Sequence, residues 1–161
     1  MTAFQITDLR IYTKLLFTQD TFDAFWLSEA TIQTSAALII EGRIDPAFFA
    51  DSDSPSEASE EAAPVLPPGQ APYRTWGEVR PLCFEWIKGK SLPLHFRIVL
   101  RDPSRSEDAA FLNIRYERGQ ALRLTTGYTA KEFTMDRSDE KLWDEEVVRF
   151  LTEHEIDLEQ F

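Results

Sequence analysis

Leu94-His95-Phe96-Arg97-Ile98-Val99-Leu100-Arg101 is the stretch on which the fold class turns. Leu94, Phe96, Ile98 and Leu100 alternate with His95, Arg97, Val99 and Arg101, the period-two pattern of a strand with one dry and one wet face. Asp102-Pro103-Ser104 ends it. A second alternating run follows over 110–117, with Leu112, Ile114 and Tyr116 inward and Asn113, Arg115 and Glu117 outward. A turn of about three residues around Gly119 keeps the inward faces matched across the next strand. That register pairs Tyr116 with Leu122 and Ile114 with Leu124, and it sets Arg115 against Arg123. A two-residue turn would oppose inward Tyr116 to outward Ala121 and is rejected. The spacing thus predicts a three-stranded antiparallel meander.

Upstream, Thr75-Trp76-Gly77-Glu78 is a capping box, so a helix is expected from there to about residue 88, with Gly89 just past its end. Trp76, Val79, Leu82, Cys83, Phe84, Trp86 and Ile87 leave little of its circumference polar, which predicts a buried, central helix. Pro81 lies inside it and is expected to kink it, because the backbone bond to residue 77 cannot form. Near the N-terminus, Thr7 or Asp8 caps a helix bearing Leu9, Ile11, Tyr12, Leu15 and Leu16. Two strands are expected over 24–33 and 36–44, joined at Thr34-Ser35. Asp45-Pro46 starts a short helix. Ser138 or Asp136 caps the last helix, whose expected buried stripe is Leu142, Trp143, Val147, Phe150 and Leu151.

Between these halves, residues 51–72 hold five of the nine prolines, four serines and five acids without one base. Such a segment has nothing to bury and is read as a disordered acidic loop inserted in the domain. The expectation is a single α+β domain over residues 1–161. Its antiparallel, strongly curved sheet, an N-terminal strand pair plus the C-terminal meander, surrounds the central helix. The N- and C-terminal helices pack on that sheet.

The chain has 161 residues and 43% hydrophobic residues, enough for one core. Its net charge of −11 is unevenly spread. Residues 136–161 carry ten acids against three bases, whereas residues 73–135 carry eleven bases against seven acids. The acidity lies in the loop and tail, and the middle is mildly basic. An anionic ligand is therefore compatible with the chain, while general nucleic-acid binding is disfavoured. No apolar run is long enough for a bilayer, no signal peptide is visible, and Cys83 has no cysteine to pair with. The expected location is the reducing cytoplasm.

Motifs with chemistry are scarce. Gly89-Lys90-Ser91 resembles the end of a phosphate-binding loop, but Phe84 stands where that motif needs glycine, and helix and strand come in the wrong order. No histidine or cysteine spacing suits a metal, and no strand-turn-helix nucleophile elbow is present. No catalytic residue, metal ligand or cofactor is assigned. The outward face of the meander is more informative. Opposed Arg115 and Arg123, with Arg97 and Arg101 on the neighbouring strand, call for a counter-charge. The candidates are an anionic ligand, the C-terminal helix, or Glu117 and Glu85. His95 lies beside this cluster, and Arg80 needs a partner on its largely apolar helix.

Several short runs occur together: Ala3-Phe4-Gln5-Ile6-Thr7-Asp8, Phe22-Asp23-Ala24-Phe25, Glu29-Ala30, Glu41-Gly42-Arg43-Ile44, Arg80-Pro81-Leu82-Cys83-Phe84-Glu85, Ile87-Lys88-Gly89-Lys90 and Pro93-Leu94-His95-Phe96. Together they resemble an uncharacterised domain-of-unknown-function family of Firmicutes-type bacteria. The resemblance implies a bacterial cytoplasmic protein and carries over no catalytic residue.

The expected function is a binding or interaction module for an anionic ligand or partner protein, with Arg97, Arg115, Arg123, His95 and Arg80 as candidate binding residues. The acidic loop or tail would compete for the arginines. The alternative is a small enzyme or small-molecule-binding protein with a pocket between central helix and sheet, near Arg80, Glu85, His95 and Arg97. A monomer or weak homodimer is expected, the latter through an exposed aromatic such as Trp26 or Phe161.

Overall fold

The computed structural model describes residues 1–50, 64–89, 91–105 and 107–160. Most of the expected acidic loop (51–63), Lys90 and Phe161 lie outside them. The 64–72 remainder of the loop holds no helix or strand.

Seven strands form one antiparallel sheet. In chain order they are β1 (Ala3–Ile6), β2 (Trp26–Gln33), β3 (Ala37–Glu41), β4 (His95–Arg101), β5 (Ala109–Glu117), β6 (Leu122–Thr129) and β7 (Leu158–Gln160), and in space β3-β2-β4-β5-β6-β1-β7. The helices are α1 (Leu9–Phe17), α2 (Trp76–Ile87) and α3 (Ser138–Glu153).

The meander β4-β5-β6 has the expected register, with Ile114 opposite Leu124 and Arg115 opposite Arg123. Gly119 takes φ of 83° in the connection, a conformation that glycine adopts without a Cβ penalty. The N-terminal hairpin joins this meander directly, because β2 pairs with β4. Two short strands escaped the sequence reading. β1 pairs with β6 and β7 with β1. Four and three residues long, they are too brief for alternation to announce them.

The sheet is open, neither closed nor strongly curled, which corrects the expected curvature. Phe96, Ile98, Leu100, Leu112, Ile114, Leu122 and Leu124 all turn to one face and are at most 2% exposed. That face meets Tyr12, Leu16 and Phe17 of α1, Trp76, Val79 and Cys83 of α2, and Trp143, Val147 and Leu151 of α3. Two indole N–H groups tie this layer together. Trp76 Nε1 donates to the Leu16 carbonyl at 2.8 Å, and Trp143 Nε1 to the Phe111 carbonyl at 3.0 Å.

The central-helix expectation is not met. α2 buries Trp76, Val79 and Cys83, but Leu82 is 63% exposed, and Phe84 and Trp86 also reach solvent. A helix lying in a single layer on an open sheet can bury only one stripe. The sheet does not curl round to cover the other. The capping box is present, with Thr75 Oγ1 accepting from Glu78 N and Glu78 Oε1 accepting from Thr75 N, and the helix runs through Pro81 without a break.

Asp8 caps α1 by accepting from Ile11 N at 3.1 Å, and Asp45 starts a short 3-10 turn at Pro46–Phe49. For α3 neither expected cap is used. Arg137 stands at the N-cap with no side-chain bond, while Asp136 accepts from Ser138 N before the first turn. Leu142, expected in the stripe, is 46% exposed. β2 begins at Trp26 rather than residue 24, because Phe25 N closes a turn onto the Phe22 carbonyl.

A bulge in β2 sets the geometry of the other face. The register with β4 shifts between Leu27 and Glu29, so Leu27 and Ala30 both turn inward and Glu29 turns outward. Gly42 packs against this bulge. A Cβ there would lie 1.8 Å from the Leu27 carbonyl oxygen, which no side chain permits.

Candidate functional site

The uncovered face of the sheet carries the arginines. Pairing places Arg97 opposite Arg115 and Arg115 opposite Arg123, so three guanidinium-bearing residues stand in one row across β4, β5 and β6. The row continues through Thr31 on β2 and Gln5 on β1 to Glu159 on β7. Like charges placed directly opposite cost a few tenths to about 1 kcal/mol per pair.

For Arg97 the counter-charge within the chain is not one of the expected acids. Glu85 pairs with Lys88 at 2.7 Å on α2, across the sheet. The acidic helix α3 packs on the inner face through Trp143, Val147 and Leu151. The tail instead contributes Glu159 at the sheet edge, in the arginine row. Arg97 is paired at 3.1 Å with Glu29, which lies on the same face of β2 as Thr31. Glu29 keeps the outward parity of Thr31, and the bulge instead brings Leu27 inward. Arg115 lies between two arginines and forms no ion pair among the described residues. Glu117 lines the same depressions as Arg115 but lies beyond ion-pair distance of it.

The surface around the row is concave. A depression of about 280 Å³ contains Arg115, Arg123, Asn113 and Thr125. A second, of about 400 Å³, contains Arg97, Glu29, Phe111 and Gly127 and shares Asn113 and Thr125 with the first. Asn113 Oδ1 is shielded from solvent and has no hydrogen-bond donor among the described residues. At the far end, the Arg101 guanidinium lies 4.9 Å from the Tyr73 ring centroid and 5.2 Å from that of Phe111, and Nη1 donates to Tyr73 Oη at 2.9 Å. Trp26, expected to be exposed, is half-buried and stacks on Tyr73 with centroids 5.7 Å apart.

The other candidate residues divide. His95 belongs to this face, exposed, opposite Gln33 and Glu117, and it lines a depression with Arg97 and Arg115. Arg80 does not. Its Nε and Nη2 grip the two carboxylate oxygens of Asp23 at 2.8 and 3.0 Å, a bidentate tie holding α2 to the segment before β2. Arg80 has the partner it required, on the helix side.

A depression of about 290 Å³ does lie between helices and sheet, walled by Leu9 and Thr13 of α1, Ile87 of α2, and Phe96 and Tyr116. Arg80, Glu85, His95 and Arg97 do not line it. Cys83 sits in the core, where burial pushes its thiol up to about 12, far from the thiolate a nucleophile needs. Among the described residues no group of three or more His, Cys, Asp or Glu side chains is arranged to hold a metal ion. Nor is any described helix long and apolar enough to cross a membrane.

Residues 14–159 match the Family of unknown function (DUF5721). The chain belongs to that family. The match spans all of the sheet except β1 and the end of β7, together with the second half of α1 from Lys14 and all of α2 and α3. It agrees with the resemblance to a family without assigned activity. No curated protein and no solved structure matches the chain.

Proposed function

We propose that this member of DUF5721 is a binding module that takes an anionic group on the uncovered face of its sheet, around Arg97 and Arg115. One observation carries the reading. Arg115 stands in register between two arginines and has no ion pair among the described residues. An anion seated there offsets the cost of opposing like charges and receives charge-assisted hydrogen bonds from a planar fork. Glu29 holds Arg97 until an anion displaces it. His95 flanks the row and offers a ring N–H as a further donor. The reading keeps the chain as one α+β domain of the bacterial cytoplasm, a monomer or weak homodimer without catalytic machinery. A second reading, a small-molecule site against α1 and α2, rests on the largely apolar depression beside Phe96 and Tyr116.

Titration with inorganic pyrophosphate, followed by calorimetry at low and moderate salt, tests the proposal. Saturable, salt-sensitive binding is expected. Arg115→Gln removes it, and Glu29→Gln strengthens it by releasing Arg97. Absence of binding, or equal binding by Arg115→Gln, overturns the proposal.

A further inference from the structure

The anion-binding face has a second end, and its chemistry differs from the first. We infer that the ligand of this face is a nucleoside phosphate, its phosphates on the Arg97–Arg115 row, its sugar over Asn113 and Thr125, and its base beside Phe111 and Gly127. The inference rests on the anion-binding reading and adds the rest of the ligand to it.

Three successive rows of the same face carry the argument. Arg97 and Arg115 form the first, Val99, Asn113 and Thr125 the second, and Arg101, Phe111 and Gly127 the third. Residues two apart on a strand are separated by about 6.7 Å, so the first and third rows lie about 13 Å apart. Phosphate, pentose and base of an extended nucleotide follow one another on that scale, with the long arginine side chains spanning the remainder. The two depressions adjoin along this line, with Asn113 and Thr125 lining both.

Each row suits its part. The first is cationic. The second is uncharged: Val99 is apolar, while Asn113 and Thr125, which line both depressions, offer an amide and a hydroxyl to a sugar. The third is planar. Trp26, Tyr73, the Arg101 guanidinium and Phe111 follow one another in a stack, and Phe111 is its last member. Next to Phe111, Gly127 has no side chain. A Cβ there would already be 3.7 Å from the Phe111 ring, so any larger residue would fill the space that the base requires. An aromatic ring extended by an arginine is the arrangement on which bases stack without hydrogen-bond readout.

A free nucleotide is favoured over a nucleic-acid strand by charge. The chain carries −11 overall, and Glu29, Glu117 and Glu159 border the arginine row, so a long polyanion meets repulsion beyond the few positive contacts.

Calorimetry with ADP, inorganic pyrophosphate and adenosine on the full chain tests this. ADP is expected to bind about tenfold tighter than pyrophosphate, the factor a single stacked base contributes, and tighter than adenosine. Arg115→Gln weakens both phosphates. Gly127→Val fills the base site at a strand position where valine is well tolerated, so it removes the ADP advantage and leaves pyrophosphate binding intact. Phe111→Leu, which keeps an apolar group against the sheet, reduces the same advantage. If ADP and pyrophosphate bind equally to the natural chain, or if Gly127→Val leaves ADP binding unchanged, the nucleotide inference falls and the anion site stands. If a single-stranded oligonucleotide outcompetes ADP, the free-nucleotide inference is likewise overturned. If neither ADP nor pyrophosphate binds, both readings fall together.

Discussion

The two faces of the sheet are built from the same strands and the same hydrogen-bond ladder, yet they obey different rules. On the helix-covered face, Phe96, Ile98, Leu100, Leu112 and Ile114 are at most 2% exposed. On the uncovered face, the residues between them include Arg97, Arg115 and His95, all exposed. Burying one large apolar side chain stabilises by about 1.5–3 kcal/mol, whereas opposing two like charges across strands costs at most about 1 kcal/mol. The inner face therefore dictates the register, and the outer face accepts whatever that register brings together. A one-residue slip would part the arginines but would turn every inner side chain into water. The arginine row is thus a position that core packing enforces, and a ligand can exploit a juxtaposition that the free chain could not otherwise hold.

The comparison can be broken most forcefully at Trp76. It is fully buried, packs edge-on against Phe17, and donates its indole N–H to Leu16. Trp76→Ala is expected to lose about 3–5 kcal/mol in denaturant unfolding. A loss below about 1 kcal/mol would mean that the helix layer does not hold the sheet, since surface substitutions have effects of that size.

Thr75→Ala sharpens the comparison at intermediate scale, because it loosens the start of α2 without touching the core. About 1 kcal/mol is expected from the lost cap. The Arg74 ion pair holds the Glu78 carboxyl below its ordinary range, helped by bonds from Thr75. A depressed carboxyl contributes stability above its unfolded pKa and loses it as the pH falls through the folded one. The gap between the natural chain and Thr75→Ala should therefore narrow in acid. A gap independent of pH would remove Glu78 from the account.

The smallest effect has the opposite sign. Arg115→Gln relieves two like-charge oppositions and should raise stability by a few tenths to about 1 kcal/mol in the absence of anions. Added salt should shrink that gain. A destabilised Arg115→Gln would mean that the guanidinium is already compensated within the protein, against the binding role proposed for it. Opposite responses of stability and ligand affinity at one residue are what a site maintained for binding predicts.

Much of this was legible in the chain before its structure. The meander and its register followed from alternation at 94–101 and 110–117, because the parity of inward residues leaves one turn length that matches both faces. The capping box at Thr75-x-x-Glu78 and the Asp8 cap were readable because capping is a local bond between residues a few positions apart. The arginine row came with the register. Its partner Glu29 and the planar row around Phe111 were hidden. The first needs the pairing of β2 with β4, which alternation within β2 does not supply, and the second depends on Tyr73, which reaches the sheet from a segment with no periodicity of its own.

The sequence by itself determined which residues face together along β4, β5 and β6, where the helices begin, and where the charge is carried, since each of these rests on spacing or short-range bonds. Tertiary structure alone decided that the sheet stays open, that α2 lies on it as one member of a layer with Leu82 and Trp86 in water, and that β1 and β7 complete the edge. Those outcomes depend on which distant surfaces are available to cover an apolar stripe. Apolar content says how much a helix can bury, and the neighbours that reach it decide how much is buried.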